Sequence, residues 1–240
     1  MSGGRHPRIG VPWAVGGGGG TPAFLVTHAD LFSTSGVSSL TSGNMAVSGS
    51  DKFLMGFIAS GDGSPVDPSG IKWGGSGGTG LTKQGSTLGV GPYGKLSLYT
   101  LVAPSDQTST VYYYWPSAQG EAASGAILLT GANQSTPLGT IATNTGTNVT
   151  VQPNVTVSSA VGDLVVAACW MVNPAGGAMT IASNGGTTRY DVLAGDYEYL
   201  IIQSKVATST STAMDFTITT YSGDTSNLSW GVIGVAVKGS

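Results

Sequence analysis

Asp51-Lys52-Phe53-Leu54-Met55-Gly56-Phe57-Ile58 is answered later in the chain by Gly162-Asp163-Leu164-Val165-Val166-Ala167-Ala168. Working outward, the same order recurs around both runs. Leu96–Val102 followed by Ala103 matches Tyr199–Val206 followed by Ala207. Val111-Tyr112-Tyr113-Tyr114 matches Phe216-Thr217-Ile218-Thr219, and Ser124-Gly125-Ala126-Ile127-Leu128 matches Trp230-Gly231-Val232-Ile233-Gly234. The offsets lie between 104 and 111 residues, so one succession of elements is used twice with small insertions. Each element is short, apolar or alternating, and bounded by Gly, Ser, Asn, Asp or Pro, which is the signature of strands joined by turns. No segment carries a helical period.

The fold class that follows is all-β: an antiparallel, jelly-roll-like β-sandwich with an internally repeated strand pattern. Residues 1–22 form a flexible basic and Gly-rich arm that ends in Gly16 to Gly20, a joint by composition. Residues 23–240 form the sandwich, with pseudo-repeat halves at about 45–131 and 149–238. Two architectures fit. Each half closes as its own small sandwich, or both interleave in one double-sheet jelly roll. The second is preferred, because pooling the halves buries more of each sheet. The stretch Asn133–Gly146 reads as a polar linker.

Composition removes several functions. Charged residues are 9% of the 240-residue chain, against about a quarter in ordinary domains. Arg5 and Arg8 lie in the arm, leaving seven basic and twelve acidic residues, a net of −5, from Ala23 onward. Such a body neutralises few phosphates, so nucleic acid is not the expected partner. No apolar run reaches the length of a membrane-spanning helix, and the N-terminus reads as carrying no export signal. Cys169, the single cysteine, forms no intramolecular disulfide and reads as a buried thiol.

The search for chemistry returns little. His6 and His28 are the only histidines, too few for a zinc site with one cysteine. His28 with Asp30 lacks a nucleophile elbow. Asp62, Asp67, Asp163, Asp191, Asp196 and Asp224 read as turn formers. Gly74-Gly75-Ser76-Gly77-Gly78 lacks the Lys-Ser/Thr ending of a phosphate loop and reads as a flexible tip. Glu121 and Glu198 are the only glutamates, the pair a sugar-cleaving enzyme would need. The chain is therefore expected to be no enzyme, with no metal or cofactor.

One site is sharper. If Val111 is equivalent to Phe216, then Val111, Tyr113 and Trp115 face the core, and Tyr112 and Tyr114 point outward where the other half has Thr217 and Thr219. Two outward tyrosines make an amphipathic platform for a protein interface or for sugar stacking. Trp73, Trp170 and Trp230 lie in strand patterns and belong to the core. In the arm, Arg5, Arg8 and Trp13 suit docking onto an acidic or apolar groove.

The succession SGSDKFLMGFIAS (48–60), LTKQGS (81–86), LSLYTLVAP (96–104), GAILLTGANQSTPLGT (125–140) and VTVSSAVGDLVVAA (155–168) resembles a jelly-roll module of tailed-bacteriophage virion proteins, also seen in bacterial surface proteins. The resemblance implies a structural or adhesive module, a homo-oligomer (often a trimer) or a repeated unit on a particle, with no catalytic residues to carry over. The expected function is a capsid decoration or cement protein, or a head or tail appendage. It would assemble in the host cytoplasm and attach to capsid or tail proteins through the arm and a sheet edge. The alternative is a carbohydrate-binding adhesin module using Tyr112 and Tyr114.

Overall fold

The structure, a computed structural model, describes residues 23–27, 36–61, 63–147, 152–174, 176, 179–194, 198–221 and 228–240. The first half contributes β1 (Ala23–Thr27), β2 (Val37–Thr41), β3 (Met45–Val47), β4 (Phe53–Gly61), β5 (Gly70–Trp73) and β6 (Thr79–Gly80). It continues with β7 (Thr82–Val90), β8 (Gly94–Val102), β9 (Gln107–Ser109), β10 (Val111–Gln119) and β11 (Glu121–Thr130). The second half holds β12 (Ala142–Thr147), β13 (Asn154–Ser158), β14 (Leu164–Val172) and β15 (Met179–Asn184). It ends with β16 (Thr187–Ala194), β17 (Glu198–Val206), β18 (Ser211–Tyr221) and β19 (Ser229–Val237).

The first half builds an inner sheet, β1-β11-β4-β8-β7, and an outer sheet, β2-β10-β5-β6. Its first strand lies beside its last, and its second beside the one before last, which is jelly-roll connectivity. The second half repeats the order with β12-β19-β14-β17-β16 inside and β13-β18-β15 outside. The strands β3 and β9 pair as a small separate ladder. All the strand pairs are antiparallel.

The four main sheets stack as layers, and the central strands show why. In β4, Phe53, Met55, Phe57 and Ala59 enter the core shared by both halves, while Leu54 and Ile58 enter the core under the first outer sheet. In β14, Leu164, Val166, Ala168 and Trp170 face the shared core, while Val165, Ala167, Cys169 and Met171 face the second outer sheet. A strand covered on both faces reads as a continuous apolar run rather than an alternating one. The two runs that echo each other in sequence are therefore the central strands of the two inner sheets.

The preference for interleaved halves is corrected. Each sheet draws its strands from one half, and the halves pool their cores by stacking sheet on sheet. A two-layer sandwich buries one face of each sheet, whereas β4 and β14 are apolar on both and require a third and fourth layer. The halves also start earlier than about 45 and 149. They begin at β1 and β12, and β12 occupies the end of the segment read as a linker. The strands β2 and β12 are rich in Ser, Thr and Asn, so their apolar signal is weak.

The seam between the halves is reciprocal. β11 lies against β16 and β17, and β19 lies against β7 and β8. Gly125 of β11 seats Tyr190 and Ile202 of the second half, where an added Cβ would stand 2.9 and 2.8 Å from their side chains. Gly231 of β19 seats Val90 and Leu88 of the first half, at 2.6 and 3.1 Å. Exchanging the halves exchanges the strands that meet, the geometry of an isologous twofold interface held within one chain, although the two glycines stand at different positions along their strands.

Candidate functional site

The first outer sheet carries the site. Along β10, Val111, Tyr113 and Trp115 are buried, and Tyr112 and Tyr114 are half-buried on the opposite face, as strict alternation dictates. The strand is held in place by reciprocal bonds with Ser42: Val111 N donates to Ser42 Oγ at 2.7 Å, and Ser42 N donates to Val111 O at 2.9 Å. Ser69 N donates to Tyr114 O at 2.9 Å.

The two outward rings are stacked, with centroids 5.7 Å apart and planes 20° from parallel. Cross-strand neighbours set their surroundings. Tyr112 lies between Thr41 and Lys72, and Tyr114 lies between Ser39 and Gly70. The ring of Tyr114 leans over Gly70, where an added Cβ would meet its Oη at 2.8 Å. Lys72 Nζ stands 5.4 Å from the centroid of the Tyr114 ring and donates to Ser76 O at 2.8 Å. An ammonium over an aromatic face is attracted by the ring quadrupole, which orders both side chains. The equivalent face of the second half carries half-buried Thr217 and exposed Thr219.

Lys72 and Gly70 were absent from the residues singled out in sequence. The signal was there: in Gly70-Ile71-Lys72-Trp73, burying Trp73 forces Lys72 to the outer face. The loop after it is also firmer than a flexible tip. Gly74 N and Gly75 N both donate to Thr110 O, at 3.0 and 3.1 Å, and Gly78 N donates to Gly75 O at 3.0 Å. Gly74 and Gly75 have φ of 96° and 81°, so glycine is required there.

Arg5, Arg8 and Trp13, like His28 and Asp30, lie outside the described residues. Trp73, Trp170 and Trp230 are all buried, and Cys169 is a buried free thiol whose pKa burial drives well up. Asp163 acts as a turn former, its Oδ2 accepting from Ala160 N at 2.7 Å. Asp191 instead lies within β16 and accepts from Tyr199 Oη at 3.0 Å. The two glutamates do converge. Glu121 is the cross-strand partner of Gly61, and a Cβ on Gly61 would fall 1.7 Å from Glu198 Oε1. Glu198 is 3% exposed and Glu121 half-buried, so the meeting belongs to the seam between the halves. Among the described residues, no group of three His, Cys, Asp or Glu is placed to hold a metal ion, and no helix is long and apolar enough to cross a membrane.

Fold and site together define the class: a tandem jelly-roll β protein, four layers thick, with an aromatic face on one outer sheet. Comparison with known proteins finds no matching family model, no matching curated protein and no matching solved structure.

Proposed function

We propose that the chain is a structural protein of a tailed-phage virion, a decoration or appendage subunit that attaches through its N-terminal arm and a sheet edge. The observation that carries this reading is the stack itself. Its cores are closed between paired sheets, and its chemistry-bearing residues are few and weakly charged, which suits a rigid building block. β1, the terminal strand of the first inner sheet, is where residues 1–22 join the body. In this reading the arm's Arg5, Arg8 and Trp13 supply charge and an aromatic anchor for capsid or tail proteins. Copies of the chain repeat on the particle as a homo-oligomer. A subunit that binds only the assembled lattice stabilises it by mass action.

Co-sedimentation with pre-formed phage heads and tails tests the reading, comparing the full chain with one lacking residues 1–22. The full chain should pellet with particles and the shortened chain should remain in the supernatant. Equal pelleting of both removes the role of the arm. Failure of both to pellet removes the reading.

A further inference from the structure

We propose that the Tyr112–Tyr114 face is a binding site for an acidic saccharide, a pyranose bearing a carboxylate. This goes beyond attachment to a particle and does not depend on it, since β1, which follows residues 1–22 in the chain, belongs to an inner sheet and this face to an outer one.

Three features of the face select the ligand. The first is a stacked aromatic pair on the outer sheet: Tyr112 presents a half-buried ring backed by Tyr114, and Tyr114 in turn lies over Gly70. A tyrosine offers a rigid apolar body with a polar tip, and the C–H face of a pyranose matches it. The second is what flanks the pair. The neighbours across β2 are Ser39 and Thr41, whose hydroxyls both donate and accept, as sugar hydroxyls require. The exposed large hydrophobic residues of the described chain are Val102, Val161, Leu193 and Val206, and none belongs to this sheet. The tyrosine pair is thus not the centre of a larger exposed apolar patch of the kind that marks a protein interface.

The third feature is charge. Lys72 is the only charged residue in the four strands of the outer sheet. Its ammonium has three N–H donors, one of which goes to Ser76 O. The ammonium stands 5.4 Å from the centroid of the Tyr114 ring, so a carboxylate held on the platform lies within reach of a charge-assisted bond from it. The four strands carry this one cation and no acid, which discriminates in favour of an anionic sugar over its neutral counterpart.

Calorimetry on the full chain tests this with two probes, a glucuronate oligosaccharide and the glucose oligosaccharide of the same length and linkage. The acidic probe should bind at least about tenfold more tightly than the neutral one, and added salt should narrow the difference. Tyr112→Ala should weaken binding of the acidic probe by about tenfold or more, and Lys72→Met should bring it down to the neutral level. Gly70→Ala keeps both rings but displaces Tyr114, so it should weaken binding as well. Thermal midpoints of the variants verify that each is folded, and Thr219→Ala, on the equivalent face of the other half, should bind like the wild type. The proposal is overturned if neither probe binds, if Tyr112→Ala leaves binding unchanged, or if the two probes bind equally. It is also overturned if the face mediates self-association that Tyr112→Ala abolishes, because the occupant is then a second copy of the chain.

Discussion

Tyr99 and Tyr199 show how individual side chains tie stability to pH. Tyr99 Oη donates to Pro68 O at 3.1 Å, and burial, reinforced by Tyr114 and Asp67, pushes its pKa up to about 12. Burial and then Asp191 drive Tyr199 up as well. Each hydroxyl is held neutral in the fold, whereas in the unfolded chain it ionises near 10.0. The unfolded state therefore loses protons first as pH rises. The stability these groups contribute is fully present below pH 10 and falls as pH climbs from there through 12. Urea midpoints should be level up to about pH 10 and then decline, with a shallower decline in Tyr99→Phe; a midpoint that stays constant to pH 11.5 would contradict the assignment.

At the scale of the strand, the seam depends on missing side chains. Gly125 lets β11 approach Tyr190 and Ile202, so Gly125→Ala should cost about 1–3 kcal/mol, as overpacking in a filled core does. Gly80→Ala is the control, since nothing lies within 4 Å of its Cβ position, and it should stay within about 0.5 kcal/mol of the wild type. Chemical denaturation measures both. The same strands show what could be read in advance. The apolar runs of β4 and β14 were legible because burial on both faces removes alternation. The outward placement of Tyr112 and Tyr114 was legible only through the echo, because Phe216-Thr217-Ile218-Thr219 alternates cleanly whereas Val111-Tyr112-Tyr113-Tyr114 does not. The match of Gly125 to Gly231 was displaced by two positions: Gly125 pairs with Phe57, and Ile233, not Gly231, pairs with Ala168, the counterpart of Phe57. A shift of two keeps every side chain on its own face, so the facing survived the error in register. Strands β2, β6, β9 and β12 carry few buried residues, so their own sequences do not mark them as strands, and pairing with a neighbour makes them so. Stacking of one half on the other was hidden for a different reason: an apolar run says that both faces are covered, not by what.

For the whole molecule, the shared core makes the halves interdependent. Phe53, Met55 and Phe57 from one half close on Trp170, Leu200 and Ile202 from the other, all buried. Separating the halves would expose this layer on both sides at once, so the chain should unfold as a single cooperative unit. Trp73 reports on the outer core of the first half and Trp230 on that of the second. Variants that each retain one of these tryptophans, with the others replaced by phenylalanine, should lose their fluorescence signature with a sharpness matching the single calorimetric transition of the same protein. Two resolved calorimetric transitions would show that the seam is weaker than its burial implies.

The layering has one more consequence, which concerns distance. Packed sheets stand about 10 Å apart, so three gaps hold the tyrosine face about 30 Å from the threonine face. The near-symmetry of the interior is thus broken at its two ends: one end carries paired tyrosines and a lysine, the other threonines and Asp215. A body of this kind acts as a spacer with a direction. Whatever holds it at the threonine end, the tyrosine end is carried clear of that surface by the full thickness of the stack.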